Sequence, residues 1–186
     1  MIEIKNISKA FGQNQVLDNI SFTVNKGEAL ALTGASGAGK TTLMRIIAGL
    51  ESPDSGEIIM PQGIRKTYVF QENRLLENRS VLENILSVAP DKKRALYFLE
   101  RCKLLDDADK KAGKLSGGMK RRLAIARALA YGGDVYFLDE PLRELDDETL
   151  KAVAELIKEE IKGKTAILIT HEAATLEFLS DRKFNI

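Results

Sequence analysis

The stretch GASGAGKTT at residues 34–42 constrains the fold more than any other part of the chain. Its glycine spacing is that of a phosphate-binding loop, whose backbone N–H groups turn inward on phosphate oxygens. The loop follows the apolar run EALALT (28–33) and opens KTTLMRIIAGL (40–50), so it lies between a predicted strand and a predicted helix, as such a loop requires. A glycine turn that only caps a helix is the weaker alternative.

The loop residues predict a nucleotide site with a magnesium ion. Lys40 is expected to neutralise the β and γ phosphate oxygens, and the hydroxyl of Thr41 can ligate Mg²⁺. The residues assigned to nucleotide binding are Gly34, Ala35, Ser36, Gly37, Ala38, Gly39, Lys40, Thr41 and Thr42.

A second motif, VYFLDEP (135–141), is an apolar strand that ends in two carboxylates. Asp139 is expected to hold Mg²⁺ through its water shell, beside the phosphate loop. Glu140 is the candidate catalytic base, because a carboxylate next to the γ-phosphate can orient and polarise the attacking water. Two acidic residues after a strand are, by themselves, more often a solvated strand end. After a phosphate loop, the functional interpretation is favoured.

Hydrophobic periodicity predicts the fold. Apolar or β-branched runs indicate buried strands at 28–33, 66–70, 134–140 and 165–170, with helices between them. With the phosphate loop, this alternation predicts an α/β fold: a phosphate-loop NTPase with a largely parallel sheet core and, in the stretch without strands, an inserted helical subdomain. We also expect an N-terminal antiparallel β portion. We expect one domain over residues 1–186, with the helical subdomain at roughly 72–130.

Composition excludes several classes of protein. Lys and Arg total 28 against 27 Asp and Glu, a net charge of +1, so no basic field draws the chain onto nucleic acid and no nucleic-acid partner is expected. The single Cys102 cannot form an internal disulfide and is predicted to be a small buried side chain. No apolar run approaches the roughly 20 residues that span a bilayer, so we expect a soluble, cytoplasmic chain whose membrane role depends on a partner.

A third motif, LSGGM (115–119), leads into the basic run KRRLAIARALA and has the features of a helix start that holds an anion. With GASGAGKT, LSGGM and VYFLDEP in this order, the chain resembles the ATP-binding cassette family, the ATPase subunits of ABC transporters. The resemblance covers nearly the whole chain, and the Ser-Gly-Gly signature separates this family from other phosphate-loop proteins. It implies ATP and Mg²⁺ as ligands and ATP hydrolysis coupled to transport.

The resemblance also implies sites shared between two subunits. In this family two ATPase subunits pack head to tail, and the signature of each closes over the nucleotide held by the other. The expected ligand of LSGGM is therefore the ATP of a second ATPase subunit, and hydrolysis would require dimerisation. The expected contacts in trans are Leu115, Ser116, Gly117, Gly118 and Met119.

Three further residues take roles only through the resemblance. Gln71 matches the glutamine that touches Mg²⁺ and the attacking water, and His171 matches the histidine that senses the γ-phosphate. Phe11 matches the aromatic residue that stacks on adenine. Each has a plainer alternative: a surface loop for Gln71, a neighbour of a helix start for His171, and a core position for Phe11.

The chain departs from the family's pattern at three places. Met119 stands where glutamine is usual, and Arg143 with Glu144 stands where serine and alanine are usual, at positions that should face the dimer interface. The chain ends at Ile186, soon after His171, so no regulation through a further C-terminal domain is expected.

The stretch VFQENRLLENRSVLENI (69–85) is similar to the ATPases of bacterial importers for small solutes, especially the nitrate, sulfonate and taurine group. This similarity implies transmembrane permease subunits and a solute-binding protein as partners, and a position on the cytoplasmic face of the membrane. An exporter ATPase is the nearest alternative. A DNA-repair or translation-associated cassette is less favoured, because the chain has neither a long coiled coil nor a second cassette.

Overall fold

The computed structural model describes residues 1–186 and contains two sheets with helices packed around them. The strands are β1 (Ile2–Phe11), β2 (Asn14–Val24), β3 (Ala29–Thr33), β4 (Ser55–Ile59), β5 (Lys66–Val69), β6 (Val135–Asp139), β7 (Thr165–Ile169) and β8 (Arg182–Asn185). The helices are α1 (Lys40–Ala48), α2 (Val81–Leu86), α3 (Lys92–Arg101), α4 (Gly117–Tyr131), α5 (Asp147–Ile161) and α6 (Ala173–Leu179), with short 3₁₀ turns at Leu105–Asp107 and Ala112–Lys114.

The larger sheet has the strand order β5-β6-β7-β3-β8, and every neighbouring pair is parallel. The carboxyl ends of its strands therefore meet at one edge, where ligands of open α/β sheets bind. Only β7 separates β3, which leads into the phosphate loop, from β6, which ends in Asp139. The topology thus brings two distant motifs together.

The parallel sheet is covered on both faces, and this explains why its strands are apolar throughout. Along β6, Tyr136 and Leu138 join a core of 31 buried residues, whereas Val135 and Phe137 join a second core of 15. Side chains alternate in the same way along β3 and β7. The sequence of a strand that is buried on both faces is therefore a continuous apolar run, as in β3, β6 and β7.

The smaller sheet is antiparallel, in the order β2-β1-β4, and it packs against the phosphate loop. A Cβ placed on Gly39 would lie 2.8 Å from Leu17 Cδ2 and 2.9 Å from Val16 Cγ1. Gly39 also has φ 90°, which side-chain-bearing residues rarely adopt. Glycine is therefore required where β2 approaches the loop.

The chain between β5 and β6 forms α2, α3 and α4 and contributes no strand to either sheet. A capping box fixes the start of α2, since the Ser80 hydroxyl accepts from the Glu83 N–H at 3.1 Å and the Glu83 carboxylate accepts from the Ser80 N–H at 2.7 Å. The Asp91 carboxylate caps α3 in a similar way. That residues 72–130 form a separate subdomain stays a prediction.

The structure also tests smaller predictions. Cys102 is fully buried at the end of α3, and burial raises the pKa of its thiol to about 12, which suits an inert core residue. The four predicted strands are present, with ends that differ by one residue at most. No helix is both long and apolar enough to cross a membrane.

Candidate active site

A cleft of about 570 Å³ opens at the carboxyl edge of the parallel sheet, between the phosphate loop and the end of β6. It gathers predicted site residues from four separate parts of the sequence. Its lining comprises Val16, Ser36, Gly37, Gly39, Lys40, Thr41, Thr42, Gln71, Asp139, Glu140, Arg143, Ile169, His171 and Glu172.

The phosphate loop is already folded around Lys40. The Lys40 ammonium donates to the carbonyl oxygens of Gly34 at 2.9 Å and Ala35 at 2.7 Å, and the residue is 7% exposed. The first turn of α1 begins at Lys40, directly after the left-handed Gly39, so its free N–H groups and positive end face the cleft. This arrangement suits a phosphate group.

Asp139 lies at the base of the cleft and is 1% exposed. Its carboxylate oxygens have only long contacts, to the Thr41 hydroxyl at 3.4 Å and the Tyr68 hydroxyl at 3.5 Å. Burial raises the pKa of Asp139, although these two hydroxyls and the positive charge of Arg45 oppose the shift. A weakly satisfied carboxylate beside a threonine hydroxyl is a donor set that fits a hard divalent cation.

Glu140 is held in an unusual backbone conformation, with φ 49°. Its N–H donates to the Ile169 carbonyl at 2.9 Å, which ties this turn to the end of β7. Its Oε1 atom is buried and accepts no hydrogen bond, although His171 Nε2 lies 3.4 Å away. Burial raises the pKa of Glu140, and His171 partly opposes that shift.

The structure places two of the residues implied by resemblance in the same cleft. Gln71 follows β5 and is exposed, and the side chain of His171 is 63% exposed beside Glu140. Phe11 ends β1 with 52% of its surface exposed, under the ammonium of Lys9 at 5.3 Å, and it is not part of the cleft lining. Its role toward adenine stays a prediction.

The signature LSGGM lies outside this cleft. Ser116 caps α4, because its hydroxyl accepts from the Met119 N–H at 3.3 Å. Leu115 is buried and Met119 packs against the larger core, while Ser116 and Gly117 are exposed. In one chain the signature and the phosphate loop therefore form two separate sites.

The loop after β6 lies against the signature glycines. A Cβ on Gly117 would lie 3.6 Å from Glu144 Oε2, and one on Gly118 would lie 3.2 Å from the Glu144 carbonyl oxygen. Glu144 has φ 68°, and its neighbour Arg143 reaches the cleft instead. The two charged residues that depart from the family's pattern thus face different motifs.

Sequence reasoning missed two residues that organise this cleft. Tyr68 contacts Asp139 from the neighbouring strand, and Arg121 is buried behind the ends of β5 and β6. Side chains alternate between the two faces of a strand, so the run KTYVF puts Tyr68 and Val69 on opposite faces. This pattern could have identified Tyr68. Nothing in the run KRR distinguishes a buried arginine from a solvated one.

Comparisons with known proteins agree with this geometry. The family model described as ABC transporter matches residues 17–143. An aliphatic sulfonates import ATP-binding protein of Shouchella clausii is 39% identical, over 100% of this chain and 76% of its own length. A phosphonates import ATP-binding protein of Fusobacterium nucleatum is 38% identical, over 98% of this chain and 87% of its own length.

A solved structure shows the same fold. The dimeric post-hydrolysis state of an ATP-binding cassette bound to ADP and Pi superposes with a TM-score of 0.89 and 28% sequence identity. The superposition covers 100% of this chain and 94% of that chain.

Proposed function

The chain belongs to the ABC transporter family, and on that premise we propose that it hydrolyses ATP in the cleft at the sheet edge to drive import of a small solute. As a member of this family it is an ATP-binding and ATP-hydrolysing subunit of a transporter. The specific residue roles that follow are our assignments from the geometry.

The phosphate loop binds the β and γ phosphates of ATP. Lys40 exchanges its two carbonyl contacts, to Gly34 and Ala35, for phosphate oxygens of opposite charge. The N–H groups at the start of α1 add neutral donors and a favourable dipole. These contacts bind the substrate and require no residue from outside the cleft.

Thr41, Gln71 and Asp139 are assigned to the magnesium ion, because all three line the cleft. When bound there, Mg²⁺ neutralises the charge that develops on the transferring phosphoryl group. The long contacts of Asp139 to Thr41 and Tyr68 leave its oxygens free to accept from the water shell of the ion.

Glu140 is assigned as the general base. The single observation that carries this role is the position of Glu140 in the cleft lining, beside Asp139 and the phosphate loop, with 14% of its side chain exposed. A water in the cleft donates to the Glu140 carboxylate, attacks the γ-phosphorus and gives its proton to Glu140 as the bond to the β-phosphate oxygen breaks. A carboxylate whose pKa is raised by burial is a stronger base toward water.

The exposed signature supports a second proposal about assembly. Ser116 and Gly117 are exposed at the start of a 15-residue helix, and none of the signature residues lines the cleft of their own chain. We infer that they close over the ATP of a second subunit in a head-to-tail dimer. The dimeric state of the superposed ATP-binding cassette supports this assignment.

The remaining partners follow from the names of the relatives. Both are import ATP-binding proteins, one for aliphatic sulfonates and one for phosphonates. We propose that this chain likewise serves an importer, bound to a transmembrane permease at the cytoplasmic face of the membrane, with a solute-binding protein delivering the solute.

The replacement of Glu140 by Gln tests the catalytic assignment. It should leave ATP affinity within about twofold, since Lys40 and the loop are untouched, and slow hydrolysis by about a hundredfold or more. Affinity is measured by calorimetry and hydrolysis by phosphate release. Glu177→Gln, on the exposed face of α6, is the control and should hydrolyse ATP at the parent rate.

Hydrolysis by Glu140→Gln at the parent rate would show that another group activates the water. Loss of ATP binding in that variant would mean that Glu140 supports the fold of the cleft and not the chemical step.

A further inference from the structure

Arg121 is a buried charge without a carboxylate partner. It lies in the second turn of α4, is 2% exposed and forms no ion pair. Burial lowers the pKa of its guanidinium, as expected where the charged form has lost its water. A buried charge that is kept without a counter-ion must be satisfied in another way.

Backbone carbonyls satisfy all of its donors. A guanidinium has five N–H groups in a planar fork, and each one here has an acceptor. Nε donates at 2.8 Å, Nη1 donates at 2.5 and 3.3 Å, and Nη2 donates at 3.0 and 2.5 Å. The accepting carbonyls, in the same order, are those of Pro141, Phe70, Gln71, Asp139 and Glu140.

These carbonyls belong to two segments that carry the reaction. One segment leaves β5 and carries Gln71, and the other leaves β6 and carries Glu140. The second segment includes the positive φ of Glu140, a conformation that persists only where its surroundings hold it. One planar group therefore fixes the spacing of both segments.

The same helix carries the signature. Arg121 follows Gly117 by four residues, so the two lie on one face of α4, a single turn apart. A displacement of the signature when it closes on a partner's nucleotide would move the guanidinium, and with it the segments of Gln71 and Glu140.

We propose that Arg121 is a positioning residue for hydrolysis, which aligns Glu140 and Gln71 with each other and links them to the start of the signature helix. The proposal rests on the roles of Glu140 and Gln71 in the proposed function. It assigns to Arg121 no contact with nucleotide, and it predicts an effect on the rate of the chemical step with little effect on binding.

Arg121→Gln keeps a polar side chain but cannot reach both segments. We expect its kcat to fall by about tenfold to a hundredfold, as a small misplacement of a base can cause, while the ATP dissociation constant changes by less than about threefold. Arg121→Lys keeps the charge and three donors, so it should recover part of the lost rate.

The matched control is Arg94→Gln. Arg94 also donates to backbone carbonyls of α4, to Ala130 at 2.7 Å and Leu129 at 3.0 Å, but at the end far from the cleft. It should lose some thermal stability and retain the parent kcat. If Arg121→Gln merely loosened the fold, the two variants would behave alike.

A double variant separates this proposal from the catalytic assignment. Because Arg121 acts through Glu140, adding Arg121→Gln to Glu140→Gln should slow hydrolysis little beyond Glu140→Gln alone. If Glu140→Gln is slow and Arg121→Gln has the parent kcat, or if the two defects multiply, the positioning role is wrong and the proposed function stands. If Glu140→Gln itself is not slow, the proposed function fails first.

Discussion

At the scale of single residues, the cleft keeps acidic groups in surroundings that oppose their charge. Asp139 is 1% exposed and has no close donor, and Glu140 has a buried oxygen without a partner. Burial raises the pKa of both carboxyls. Groups arranged in this way destabilise the free protein at neutral pH and gain their partners only when ligand binds.

The first prediction follows for Asp139→Asn. Without Mg²⁺ or nucleotide at pH 7, this variant should unfold at a higher temperature than the parent, because the cost of a buried carboxylate is removed. Since the folded-state pKa of Asp139 lies above its unfolded value, the parent gains stability from this group as pH falls through the folded pKa. The advantage of the variant should therefore shrink as pH falls toward 3.8, the ordinary aspartate value.

Asp146 provides a control, because its pKa is shifted in the opposite direction to that of Asp139. Its carboxylate caps α5 by accepting from the Thr149 N–H at 3.0 Å, and this hydrogen bond holds its pKa below the ordinary value. Asp146→Asn should therefore lower the unfolding temperature at pH 7. Thermal scans between about pH 4 and pH 8 measure both variants. An advantage of Asp139→Asn that grows as pH falls would contradict the assignment.

At the scale of elements, the Ser116 hydroxyl at the start of α4 has two functions, one in the free chain and one in the proposed dimer. In the free chain Ser116 caps the helix through the Met119 N–H. In the proposed dimer the same residue faces a phosphate of the partner's ATP. A substitution that keeps one role and removes the other can distinguish them.

Ser116→Asp and Ser116→Ala form such a pair. Aspartate is as good an N-cap as serine, whereas alanine costs about 1 kcal/mol in unfolding free energy. The aspartate variant should therefore be stable, but its negative charge would repel the phosphate and slow hydrolysis by at least about tenfold. Denaturant unfolding and phosphate release measure the two effects. A stable Ser116→Asp chain that hydrolyses ATP at the parent rate would contradict a phosphate contact.

The success of sequence prediction depended on what each element buries. β3, β6 and β7 lie inside the sheet and β5 lies at one edge, but all four place side chains in the two cores, and their apolar or β-branched runs revealed them. β8 was missed, because RKFN is charged and exposed, and its pairing with β3 is what makes it a strand. The pairing of an exposed strand is a tertiary property that leaves no periodic signal in the strand itself.

The same division applies to the cleft. Residues whose chemistry is tied to a motif, such as Lys40, Asp139 and Glu140, could be placed from their spacing alone, and the structure brings them together. Arg121 could not, because its acceptors are carbonyls that lie 18 to 51 residues away in the sequence. Every residue has a backbone carbonyl, so a sequence pattern cannot show which carbonyls accept from a given arginine.

At the scale of the whole molecule, the phosphate loop and the signature form separate sites, so mixed dimers can test the head-to-tail proposal. Ser116→Arg should leave ATP binding nearly unchanged and abolish hydrolysis, whereas Lys40→Ala should lose tight ATP binding. In a mixed dimer both defects fall on one shared site and the other site is intact. An equal mixture should then recover roughly a quarter of the parent activity, if subunits pair at random in a symmetric dimer and one site can act alone.

If mass measurement demonstrates mixed dimers but their activity is no higher than the sum of the two variants alone, shared sites that act independently are contradicted. Each variant alone at twice the concentration is the control for simple mass action. Gel filtration of Glu140→Gln with ATP should show the dimer directly.

The position of β3 between β7 and β8 has a consequence for how the protein is made. The strand that leads into the phosphate loop has no neighbour until much later residues arrive, since the Ala29 N–H bonds to a carboxylate 152 residues further along the chain. At roughly 5–20 residues per second, the ribosome takes on the order of ten seconds to supply that partner. The growing chain thus carries β3 without its two sheet neighbours for most of that time.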